Sequence, residues 1–141
     1  MDLLNKLKKR FNQNFLRAVC AACALVAYAD GEVTDDEVEK MILFMHMNKD
    51  LKDFNESEIT QIFQNFVTRI GFDFNIGKSE AFAALKKINV SSDHAKKVCE
   101  ICIAVAKADG KFDQPGHGKC ELKIIREICS ALGIRTSEFG I

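Results

Sequence analysis

Two apolar stretches of this chain share one pattern and one ending. Val19-Cys20-Ala21-Ala22-Cys23-Ala24-Leu25-Val26-Ala27-Tyr28-Ala29-Asp30-Gly31 and Val98-Cys99-Glu100-Ile101-Cys102-Ile103-Ala104-Val105-Ala106-Lys107-Ala108-Asp109-Gly110 agree at eight of thirteen positions. An internal duplication limits the fold before any other property does, because both copies ask for the same local structure and the same kind of neighbour. In each copy Val, Cys, Cys, Val and Ala recur at i, i+3, i+4 and i+7 spacing, the mark of a helix with an apolar face. Gly31 and Gly110 end these helices, glycine being free to take positive φ just past a helix terminus.

The chain of 141 residues is long enough for one compact domain, burying roughly 70% of its unfolded surface. Twenty basic and twenty acidic side chains cancel. No global field therefore recruits nucleic acid, and no nucleic-acid partner is expected. No apolar run reaches the ~20 residues of a membrane-spanning helix, and the first ten residues lack the ordered regions of a signal peptide. These features predict a cytoplasmic protein, and six cysteines in that compartment are read as thiols.

Residues 1–12 form an amphipathic basic N-terminal helix, with Leu3, Leu4, Leu7 and Phe11 on one face and Lys6, Lys8, Lys9 and Arg10 around it. Folding back onto the body is the expected fate of such a helix. Docking on a membrane surface or a partner is the alternative. The first repeat then spans 15–47. Its second helix opens on a capping box of Thr34 and Glu37 and turns Val38, Met41, Ile42 and Met45 inward. Asn55 and Glu58 repeat the capping signature ahead of the stripe Ile59, Ile62, Phe63, Phe66, Val67 and Ile70, which Gly71 is expected to close. Phe72 to Gly77 is read as a loop whose aromatics pack down, followed by a short helix through Phe82, Leu85 and Ile88. The second repeat spans 95–132, entered through Ser91 or Ser92 and stopped by Gly133. The expected fold is all-α: a single compact helical domain over 1–141, of about seven to eight helices in two pseudo-symmetric halves.

Cys20-x-x-Cys23 and Cys99-x-x-Cys102 have the spacing of zinc ligands. Both pairs nevertheless sit mid-helix on an apolar face, so they are read as buried core thiols rather than as metal or redox centres. The second joint carries extra residues around Gln114-Pro115-Gly116-His117-Gly118-Lys119-Cys120. His117 and Cys120 there are one weak ligand pair, and a plain surface insertion is preferred. His46 and His94 are isolated and read as helix-end or surface residues. No nucleophile stands with a base, and no glycine loop is built to hold phosphate, so no enzymatic activity is expected.

Asp30, Glu32, Asp35, Asp36 and Glu37 crowd carboxylates into the first joint, and Asp109, Asp113 and Glu121 partly mirror them. Two readings fit. Acidic residues favour helix N-termini through caps and the dipole; crowded carboxylates also invite an oxygen-seeking cation, Ca²⁺ or Mg²⁺, or a basic partner. The spacing is not that of an EF-hand loop.

Four motifs in order resemble a known family. They are Ala29-Asp30-Gly31-x-Val33-Thr34-x-x-Glu37; Phe72-Asp73-Phe74-x-Ile76-Gly77-Lys78-x-Glu80; Ile103 through Gly110 with Phe112-Asp113; and Ile125-Arg126-Glu127-Ile128-x-x-x-Leu132-Gly133 with Glu138-Phe139-Gly140. Together, from about Phe15 onward, they look like the TerB family of tellurite-resistance proteins. The resemblance implies an all-helical, non-enzymatic stress-response domain with two pseudo-symmetric halves. It also implies action with an integral membrane protein of the TerC type at the inner face of the membrane, which admits peripheral membrane association. The family's acidic metal or partner positions map onto Asp30, Glu37, Asp73, Glu80, Asp109 and Asp113, and onto Glu121 when the inserted loop is skipped.

Overall fold

The computed structural model describes residues 2–31, 33–108 and 119–141, the side chains of Lys119 and Cys120 excepted. Among them are six α-helices: α1 (Asp2–Asp30), α2 (Asp35–His46), α3 (Glu56–Phe72), α4 (Phe74–Leu85), α5 (Asp93–Lys107) and α6 (Lys119–Ala131). A 3₁₀ turn, Thr136–Phe139, follows, and no strand occurs among the described residues. The chain is all-helical, with fewer helices than the seven to eight expected.

The difference arises at the N-terminus. The basic segment and the first repeat helix are one 29-residue helix, because Asn12-Gln13-Asn14 contains neither glycine nor proline to break it. The segment does not fold back. Every residue from Asp2 to Phe11 is exposed, and only from Phe15 does the helix enter the body.

Inside the body α1 is the central element and packs against α3, α4, α5 and α6. Ala18 to Ala27 is buried without interruption, so the helix is enclosed on all sides rather than on one face. Its composition explains this: five alanines and two cysteines among these ten residues let neighbouring helices approach closely. α2 packs on α5 and, more lightly, on α3. The largest enclosed side chains, among them Phe15, Leu25, Met41, Phe63 and Ile125, fill the space between the helices.

The expected caps are present. The Glu37 amide donates to Thr34 Oγ1 at 3.2 Å, the Glu58 amide to Asn55 Oδ1 at 2.7 Å, and the Ala95 amide to Ser92 Oγ at 3.2 Å. In the first of these the Thr34 hydroxyl also donates to the Glu37 carboxylate, at 3.2 Å, where the capping box has the Thr34 amide donate to that carboxylate. Gly31 and Gly133 turn the chain at φ +90° and +71°.

Phe72 to Gly77 departs from the expected loop. α3 runs through Gly71 to Phe72, and α4 begins at Phe74. Asp73 alone forms the corner, its Oδ1 accepting the Ile76 amide at 3.0 Å. Gly77 then lies directly on α3: a Cβ there would stand 2.4 Å from the Ile70 Cα.

This corner yields a paired prediction. Gly77→Ala is expected to lower the urea-unfolding free energy by about 1–3 kcal/mol, since the obstacle is backbone. Gly71→Ala, which meets nothing within 4 Å, is expected to leave stability unchanged or raise it by up to ~1 kcal/mol. Equal effects would show that the α3–α4 approach is looser than described.

Candidate functional site

The acidic positions singled out by the sequence fall into distinct environments. Asp30 is half-buried in the last turn of α1. Glu37 and Glu121 are the buried charged residues among those described, each in the first turn of its helix, α2 and α6 respectively. A carboxylate at a helix N-terminus is favoured by the dipole, which accounts for the local placement of both. Glu37 also lies near Cys23 in the core. Each of Asp30, Glu37 and Glu121 is engaged in a polar or electrostatic interaction. Asp73 is exposed and occupied as the cap of α4. Glu80, seven residues further along that helix, binds Arg69 at 2.6 Å on the rim of a groove shared with Arg17 and Phe66. Glu32, Asp109, Asp113 and the insertion with His117 lie outside the described residues.

What joins the first acidic joint to the α3–α4 corner is aromatic. Tyr28, two residues before Asp30, stacks on Phe74, next to Asp73, with ring centroids 5.3 Å apart. This contact places the two joints at one end of the bundle. The two joints carry exposed apolar side chains: Phe72 is 92% exposed and Ile76 59%, with Tyr28, Val33 and Phe74 also open to solvent. These aromatics were expected to pack down; Phe74 does so in part, against Tyr28, whereas Phe72, at the last position of α3, stands in solvent. On the Phe74 face of α4, Lys78 pairs with Glu127 of α6 at 2.8 Å, its ammonium 5.7 Å from the Phe74 ring centroid. Sequence reasoning missed this patch. Its signal was the clustering of Phe72, Phe74 and Ile76 about a capping aspartate.

The thiols behave as core atoms. Cys20, Cys23, Cys99, Cys102 and Cys129 are all free and buried. Among the described residues no group of three or more His, Cys, Asp or Glu is arranged to hold a metal ion. Burial pushes the Cys20, Cys23 and Cys102 thiols up, and neighbouring thiols push Cys23 and Cys102 further. The Glu37 charge adds to the effect at Cys23. The hydrogen bond between Cys99 and Cys129, helped by burial, pushes the Cys99 thiol up, and the same bond lowers Cys129. Cys20 points at the Ile59 carbonyl, 3.8 Å away, linking α1 to α3. Thiols kept neutral and out of solvent are poor nucleophiles.

Neither of the described histidines, His46 and His94, stands beside a nucleophile. His46 Nε2 bonds the Phe54 carbonyl at 2.8 Å. His94 is more enclosed than a surface histidine: it stacks on Phe15 at 4.1 Å between centroids, and its Nε2 lies 2.9 Å from Asp50 Oδ2.

The family described as "Tellurite resistance protein TerB" matches residues 16–141. Among curated proteins, a "Tellurium resistance protein TerB" from Alcaligenes sp is 34% identical over 79 residues. That match covers 56% of this chain and 65% of the relative, so the chain spans just under two thirds of that protein's length. No solved structure matches. No helix among the described residues is long and apolar enough to cross a membrane.

Two outcomes follow for the thiols. In a Cys120→Ser background, a thiol reagent is expected to label none of the five buried cysteines in native buffer and all of them in urea; rapid native labelling would contradict the packed core. The second concerns pH. A thiol whose folded pKa lies above its ordinary value of 9.0 favours the folded state below that value. It loses that contribution as pH climbs higher, because the unfolded chain ionises first. Stability measured by urea is therefore expected to fall above about pH 9, by roughly 1.4 kcal/mol per pH unit for each such thiol. Cys102→Ala is expected to flatten that slope.

Proposed function

The chain belongs to the TerB family of tellurite resistance proteins, and from that premise we propose that it acts in tellurite resistance as a non-enzymatic interaction module. In this reading the acidic helix-helix joints are presented to a divalent cation, Ca²⁺ or Mg²⁺, and to an integral membrane protein of the TerC type at the inner face of the membrane.

The observation that carries the reading is the Tyr28–Phe74 stack, which joins the end of α1, where Asp30 lies, to the α3–α4 corner at Asp73, beside exposed apolar side chains. Exposed aromatic side chains beside carboxylates suit a protein surface bearing apolar and basic groups. Aromatics supply contact area at low entropic cost, and the rim charges orient the encounter. A contiguous apolar patch is itself a marker of an interaction site. Of the wider acidic set, Glu37, Glu121, Asp109 and Asp113 belong to the proposed cation-responsive joints, while Glu80 engages Arg69 and serves the neighbouring face. The burial of all five described thiols, which keeps Cys20, Cys23 and Cys102 protonated, supports a binding role over a thiol-dependent reaction on tellurite.

The test separates the two ligands. Asp73→Asn keeps a side-chain oxygen for the α4 cap while removing its charge, so Asp30→Asn with Asp73→Asn is expected to fold normally. Capture of the cytosolic segments of a TerC-type protein is expected to fall by about tenfold or more in this variant, as for loss of charge at an interface. Phe72→Ser, at an exposed position, is expected to weaken capture as well. Calorimetry should give heat with Ca²⁺ or Mg²⁺ for the unaltered chain and less for the variant. No capture by the unaltered chain removes the partner; no heat removes the cation.

A further inference from the structure

The first turns of α1 are built unlike the rest of the molecule. Leu3 is 70% exposed, Leu4 71% and Phe11 51%, whereas Phe15, one turn further on, is fully buried. At 100° per residue Leu3, Leu4, Leu7 and Phe11 fall within an arc of about 100°. On the same wheel Lys6 and Arg10 follow one margin of that arc, Lys8 follows the other, and Lys9 lies opposite. Asp2 is the one acidic residue among the first ten.

The body does not cover this apolar arc. Where the helix leaves the bundle, Lys8, Lys9 and Asn12 border a groove with Asp53 and Glu58, and Phe11 borders another with Ile88. Leu3, Leu4 and Leu7 line neither groove. A short helical projection with leucines in water gains little from its own hydrogen bonds, and an apolar environment would stabilise it. The family match begins at residue 16, so this segment lies outside the shared domain.

We propose that residues 2–12 form an in-plane anchor that docks the chain on an anionic lipid surface. The leucines and Phe11 enter the boundary between headgroups and acyl chains, and the flanking Lys6, Lys8 and Arg10 meet the lipid phosphates. Charge decides between occupants. Apposing two copies of this helix would bring together two sets of four cations with one acid each, which repel, while an anionic leaflet complements them. The inference is independent of the partner assigned to the acidic joints at the other end of α1.

Co-sedimentation of the full chain with vesicles tests it. Binding is expected to vesicles of mixed phosphatidylglycerol and phosphatidylcholine, to weaken in high salt, and to be at least about tenfold weaker on phosphatidylcholine alone. Leu4→Glu with Leu7→Glu, both at exposed positions, is expected to abolish binding and leave the melting temperature unchanged. A milder Lys6→Gln with Lys8→Gln variant is expected to lose the preference for anionic vesicles. Absence of binding to the anionic vesicles would overturn the proposal. So would equal binding by the leucine variant, or a dimer of the unaltered chain that this variant converts to monomer without any vesicle binding.

Discussion

Enclosure of one helix on every side is the constraint on which the rest of this molecule depends. Ala18 to Ala27 has no solvent face, so its backbone must satisfy itself within the helix and its side chains must be small enough for four neighbouring helices to close around it. Alanine and cysteine meet both demands. The same enclosure quiets Cys20 and Cys102: a thiol without water holds its proton, since burial outweighs the Arg17 charge near Cys20 and the backbone hydrogen bonds at Cys102. Pairs that look like metal ligands in the sequence are thus consequences of close helix packing.

A central helix that is fully enclosed leaves function to the places where the chain enters and leaves the core. At the C-terminal end of α1 the chain turns at Gly31, and Tyr28 reaches across to Phe74. Several carboxylates there have structural duties. Asp73 caps α4, and Glu37 closes the box with Thr34. Capping and recognition do not exclude one another, since a cap uses one oxygen of a carboxylate and leaves its charge. The tight corner at Asp73 has a second result, because it strands Phe72 in solvent beside that charge. At the opposite end the first turns of α1 lie outside the core, and a different surface, basic and leucine-rich, takes over.

Much of this could be read from the residues. Thr34, Asn55 and Ser92 announced their caps because a hydroxyl or amide three residues before a free amide is a local interaction, needing no knowledge of the fold. Gly31 and Gly133 announced turns for the same reason. The core positions of α3 and α5 followed from periodicity, and the four motifs pointed to the family. What was missed depended on tertiary context. Asn12-Gln13-Asn14 reads equally well as a boundary or as the polar turn of a continuous helix, and only the absence of a covering element left residues 2–11 outside the body. Phe72, Phe74 and Ile76 alternate like a strand or a buried loop, yet Asp73 caps a helix that starts at Phe74, Gly77 lets that helix approach α3 closely, and Phe72 is left in solvent. The all-round burial of α1 was likewise hidden behind a pattern that resembled a one-sided stripe. Of the acidic set, the sequence located the residues but not their engagement, such as Glu80 with Arg69.

Native-state hydrogen exchange tests the central place of α1 most directly. The amides of Ala18 to Ala27 are expected to exchange only through global unfolding, with opening free energies equal to the stability measured by urea, while those of Asn5 to Phe11 in the same helix exchange many times faster. Rapid exchange in the Ala18–Ala27 segment, with slower amides elsewhere in the bundle, would contradict a fold assembled around this helix.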